Sequence, residues 1–212
     1  MRVPDVKVVP ARTIILPVTA IGYDLDDNDE HSNEGERTRA LERTVAVEFE
    51  RQARQKGALP LSFEKVRACG DNCVSLLSTA IRWGAKSTTE IAVAHAGTNR
   101  SGKSSVGEWR NSRDFRPLQR ALEADFALVL FVRDAHETAG RQFAEAQLNR
   151  RAFKSIRNDD DFTQIAATCA LELASGRIVW CSSMAARWMG KYADITSINE
   201  YPSVVKELLA DF

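Results

Sequence analysis

Phe126-Ala-Leu-Val-Leu-Phe-Val132 contains no polar side chain, and it constrains the fold more than any other stretch of the chain. A short unbroken apolar run reads as a strand, and one that is apolar at every position has both faces covered. It therefore belongs in the middle of a sheet.

The flanking patterns supply the rest of the architecture. Thr13 to Ile21 is a β-branched run that predicts a strand, with Pro17 marking an edge or an end. Leu41, Val45, Phe49 and Ala53 recur every four residues, so a helix is expected over residues 36–56, closed by Gly57. Leu59 to Val66 reads as a second strand, and Cys73 to Trp83 as a helix with Val74, Leu77 and Ile81 on one face. Gly84 to Asp114 reads as an irregular centre, rich in Gly, Ser, Thr and Asn. Phe115, Leu118 and Leu122 mark a short helix, and residues 135–158 read as mobile or weakly helical. Ile165 to Leu173 and Arg177 to Ser183 form a hairpin turning at Ser175-Gly176, and a helix runs from Glu200 to Phe212. Helices and strands intermix without repeats, so the expectation is a single α/β domain over residues 1–212, a mixed sheet with a C-terminal β-hairpin packed against amphipathic helices.

With 29 basic and 29 acidic residues the formal net charge is zero, which argues against a nucleic-acid partner. No apolar run is long enough to span a bilayer, and no apolar segment of a secretory signal follows Met1. The chain is thus either cytoplasmic or an exported protein whose signal is missing from this sequence.

Cys69 and Cys73 form a close local pair, and the hairpin would place Cys169 opposite Cys181. Both pairs are disulfide candidates, with four reduced thiols as the alternative. His31, His95 and His136 are scattered and no zinc spacing occurs, so neither a metal nor another cofactor is expected. The acids from Asp24 to Glu30 lack the glycine and glutamate of a calcium loop. No G-x-S-x-G, H-E-x-x-H or G-x-G-x-x-G is present either.

One motif points to an enzyme. Gly97-Thr-Asn-Arg-Ser-Gly102-Lys103-Ser104 satisfies the phosphate-loop pattern. In that role backbone N–H groups would cradle phosphates, Lys103 would reach the outer oxygens, Ser104 would hold magnesium, and Asp134 would assist. Ile91 to Ala96 would have to be the preceding strand, and a helix would have to start at Lys103. The stretch after Lys103 has Gly107 and Asn111 inside it and no apolar stripe, which disfavours that helix. Nucleotide binding is the alternative reading.

The segment from Lys103 to Trp109, the block Ala124-Asp-Phe-Ala-Leu-Val-Leu-Phe-Val-Arg-Asp134, the turn Thr138-Ala-Gly-Arg141 and the hairpin Leu171-Glu-Leu-Ala-Ser-Gly-Arg-Ile-Val-Trp180 resemble an uncharacterised family of exported proteobacterial proteins. The order of strand, hairpin and helix is more distantly similar to the curli secretion channel subunit, the amino-terminal domain of TolB and lipoprotein activators of peptidoglycan synthases. The specific motifs lie in the second half of the chain. The family prefers Gly where this chain has Glu123 before Ala124-Asp125, and its apolar stretch after the arginine is replaced by charged residues 142–161.

The resemblance implies a non-catalytic, protein-binding accessory module of the cell envelope, periplasmic or associated with the outer membrane. It implies another envelope protein as partner, and leaves open lipid anchoring through a missing N-terminus and self-association. Lys103, Trp109, Arg133, Asp134 and Arg141 are the expected binding residues. The recognition surface is expected in the irregular centre or in the charged stretch from Arg141 to Asp161.

Overall fold

The computed structural model describes residues 7–25, 31–32, 34–97, 109–137, 164–186 and 201–212. The apolar run is the core of β5 (Phe126–Glu137), an interior strand of a seven-stranded mixed sheet. Along one edge of β5 lie β1 (Thr13–Ile15) and β2 (Thr19–Leu25), both parallel to it. Ile15 stands opposite Leu128 and Thr19 opposite Phe131, four steps along one side against three along the other. The extra residue is a bulge at Pro17, which has no N–H to give the ladder. The expected strand over residues 13–21 is thus two strands, broken where the proline stands.

On the outer side, β3 (His31–Ser32) pairs antiparallel with β2, and β4 (Leu59–Pro60) parallel with β1. Along the other edge of β5 comes the hairpin of β6 (Gln164–Glu172) and β7 (Arg177–Ala186), antiparallel throughout. Its turn runs over Leu173 to Gly176, one residue longer than the spacing predicts. A register shift between Ala170 and Leu171 leaves Val179 as the extra residue. Val179 and Trp180 consequently enter the same core although adjacent in sequence.

Helices cover both faces. The first carries α1 (Glu34–Gln55) and the terminal helix α5 (Tyr201–Leu208); Leu41, Val45, Phe49 and Ala53 pack on Leu128, Leu130 and Val132 there. Gly57 closes α1 at φ +97°, its N–H donating to Arg54 O and that of Ala58 to Ala53 O. These two bonds make a Schellman cap, and only glycine adopts that φ without strain.

The second face carries α2 (Phe63–Ala68), α3 (Asp71–Gly97) and α4 (Arg116–Leu122), packed on Ala127, Val129, Cys169 and Cys181. Two expectations are corrected here. Residues 63–66 are helical rather than strand, because the Ser62 side chain accepts a hydrogen bond from Lys65 N and caps α2. Residues 84–97 continue α3 rather than forming an irregular centre. The α3 stripe also differs from the expected one: Cys73, Leu76, Leu77 and Ala80 point inward and Val74 faces water. Residues 135–137 extend β5, while the rest of the expected weak helix lies outside the described residues.

Both cysteine pairs are bonded as disulfides. Cys169 and Cys181 are directly paired across β6 and β7, with Cα atoms 4.1 Å apart. Cys69 and Cys73 join the end of α2 to the first turn of α3.

Candidate functional site

Asp125 organises the end of the sheet where β5 begins. Its carboxylate accepts from Arg12 Nη2 at 2.8 Å and from Gln119 Nε2 at 3.0 Å. Its backbone N–H donates to Arg12 O, and its carbonyl accepts from Leu173 N. One residue thus joins the turn that leads into β1, α4 and the hairpin turn.

Trp109 sits beside that turn. Ile178 N donates to Trp109 O at 2.9 Å, Asn111 N to Gly176 O at 2.8 Å, and Arg110 Nε to Ser175 O at 3.2 Å. The Trp109 ring is half-buried against the α3-side core. The segment acts as a short added strand on the start of β7, a role that spacing cannot reveal.

Arg133 and Asp134 are neighbours on β5 and therefore face opposite sides of the sheet. Arg133 is half-buried, between Ile21 and Ile165 in register. Asp134 is only 1% exposed and stands between Gly22 and Gln164. On the same side of the sheet the Thr38 hydroxyl accepts from Gly22 N at 2.9 Å and donates to Gly22 O at 3.2 Å, pinning α1 to β2. Lys103 and Arg141 lie outside the described residues, as does the stretch from Arg141 to Asp161.

The phosphate-loop reading meets a specific obstacle. Ile91 to Gly97 belongs to α3 instead of the strand the motif needs. A strand-to-loop-to-helix order aims N–H groups at the phosphates. Here the residues that lead into the motif, up to Gly97, are helical, so the required strand is missing from that order. Gly102, Lys103 and Ser104 lie outside the described residues. Calorimetric titration with Mg-ATP and Mg-GTP should therefore give no micromolar binding, and the Lys103→Ala chain should behave like the parent. Heat of binding that the substitution abolishes would reverse this conclusion.

Surface clefts open among the described residues. One, about 170 Å³, opens between the segment around Pro17, the α1 wall that carries Glu50, and the end of β4. Leu16, Pro17, Val18, Phe49, Leu61 and Phe63 line it. Beside it Leu59 is 39% and Phe63 53% exposed, so apolar surface continues out of the cleft. The signal for this surface was present in Pro60 and Ser62, which end a strand and start a helix, but the apolar content of residues 59–66 obscured it.

A second cleft, about 560 Å³, is lined by Lys65, Ala68, Cys69, Pro117, Arg120, Ala121 and Glu123. Lys65 Nζ lies 2.6 Å from Glu123 Oε2. That hydrogen bond, and then the ammonium charge, hold the Glu123 carboxyl below the usual carboxylate range. The Cys69 half of the first disulfide is exposed on this cleft, while Cys73 is buried. No group of three or more metal-ligating side chains occurs among the described residues.

No protein-family model matches the chain, and no curated protein sequence matches it. Among solved structures, the LpoB C-terminal domain from Salmonella enterica is similar at 9% identity, over 85% of this chain and 85% of that one, with a TM-score of 0.29.

Proposed function

We propose that this chain is a non-catalytic accessory module of the bacterial cell envelope that binds another envelope protein. The observation that carries the reading is the disulfide pairing of all four cysteines. Disulfides persist in oxidising compartments such as the periplasm, whereas cytosolic thiols are kept reduced. Contact with a partner is supported by the apolar cleft at Pro17, whose rim leaves Leu59 and Phe63 to water on a rigid frame. Trp109, Lys103 and Arg141 are the further contact positions in this reading, with Arg133 and Asp134 acting from within the sheet.

Acid-quenching native cells and alkylating them without reductant should leave all four cysteines unlabelled. A photo-cross-linking side chain at position 63 should give a discrete adduct with an envelope protein, and one at exposed position 86 should not. Four alkylated cysteines in quenched cells would make the protein cytosolic and end the envelope reading. Identical cross-linking from both positions would end the assignment of the cleft.

A further inference from the structure

The two disulfides of this chain occupy opposite environments. Cys169 and Cys181 are both buried, bridged beneath α3 in the second core. Cys69 is exposed, lines the larger cleft, and is joined to Cys73, which is buried at the first turn of α3. Thiol–disulfide exchange requires a thiolate to reach one sulfur, so access decides which bridge reacts and at which end.

We propose that Cys69–Cys73 is a thiol-exchange site that takes up small anionic thiols at Cys69, leaving Cys169–Cys181 as an inert structural bridge. The incoming thiolate attacks Cys69 Sγ from the cleft and forms a new S–S bond there. The Cys69–Cys73 bond breaks, and its electron pair leaves on Cys73 Sγ, which then takes a proton from water. A second thiol attacks the mixed disulfide, returning the Cys69 thiol and releasing the oxidised small disulfide. The protein is reduced by two electrons and two small thiols are oxidised.

The cleft supplies selectivity for charge. Lys65 is matched by Glu123 at 2.6 Å, whereas the exposed Arg120 donates its Nε to the carbonyl of Arg116 and its charge is felt by Asp114, a carboxylate already paired with Arg116. A second cation on this wall favours a thiol carrying carboxylates over a neutral one. At the leaving sulfur two effects oppose each other: Cys73 sits in the first turn of a helix, whose positive end favours a thiolate, while its burial among apolar side chains and Asp71 in the same turn disfavour one.

The proposal concerns the purified chain and is independent of the envelope reading. Oxidised full-length protein would be incubated with graded reduced glutathione, quenched in acid, blocked with a maleimide and mapped by mass spectrometry. Cys69 and Cys73 should open at a glutathione concentration at least about tenfold below that needed for Cys169 and Cys181. At short times the glutathione adduct should map to Cys69. An Arg120→Glu chain should exchange with glutathione about fivefold more slowly, while its rate with neutral 2-mercaptoethanol stays unchanged. Simultaneous opening of both bridges, or an adduct on Cys73, would overturn the site. Equal slowing with both thiols would overturn its preference for anions.

Discussion

Phe49→Ala is expected to lower stability by about 3–5 kcal/mol, whereas Val47→Ala, two residues away on the same helix, should change it by less than about 0.5 kcal/mol. Phe49 is completely buried in the core that α1 and α5 make with Leu128, Leu130 and Val132. Its truncation loses the transfer free energy of the ring and leaves a cavity that a rigid strand pair on one side and α1 on the other cannot collapse. Val47 is 72% exposed and has almost nothing to lose. A domain of this size has roughly 5–15 kcal/mol of total stability, so the first substitution should move the urea midpoint far and the second hardly at all. Equal effects from the two would contradict the orientation of α1.

Gly84→Ala should destabilise the protein by about 1–3 kcal/mol, opposite in sign to helix propensity. In an exposed helix interior, alanine in place of glycine stabilises by about 1 kcal/mol. At Gly84, however, an added Cβ would stand 2.7 Å from Val129 Cγ2 and 3.3 Å from Cγ1. Val129 is buried, and a β-branched side chain on a strand has little freedom to turn away. Relief must come from shifting α3 against β5. The accompanying double variant, Gly84→Ala with Val129→Ala, removes the clash and should be less destabilised than the sum of the two single changes. Stabilisation by Gly84→Ala alone would show that α3 does not approach β5 this closely.

The contrast between Phe49 and Gly84 shows which parts of the fold were legible before the structure. The α1 stripe is a local pattern: the same residues that form the helix also mark the face it buries, and Gly57 ends it by its own backbone chemistry. The run from Phe126 likewise announced an interior strand, and the hairpin placed Cys169 across from Cys181. The second half of α3 did the reverse. Gly84, Ser87, Thr88 and Thr89 look like a loop in isolation, since all are weak helix formers. In the structure Ser87 and Thr88 are buried, Gly84 admits Val129, and the Thr89 hydroxyl donates to Ala85 O at 2.8 Å. Small residues are what close helix–sheet approach demands, so residues poor for an isolated helix are good for a packed one.

The candidate sites follow the same division. Two cysteine pairs were visible as candidates by spacing, but spacing carries no burial, so it could not show that one bridge is sealed in a core and the other opens on a cleft. Arg133 and Asp134 were legible as neighbours on a strand; only the layers above and below decide that Asp134 is buried. The Gly97 to Ser104 pattern was legible as letters, but the residues before it form a helix where the motif needs a strand. Sequence alone settled the elements whose apolar period is local: α1, β5, the β6–β7 hairpin and the α/β class that they imply. Tertiary structure alone decided the length of α3 and the exposure of each cysteine, because those depend on which surfaces meet across long stretches of chain.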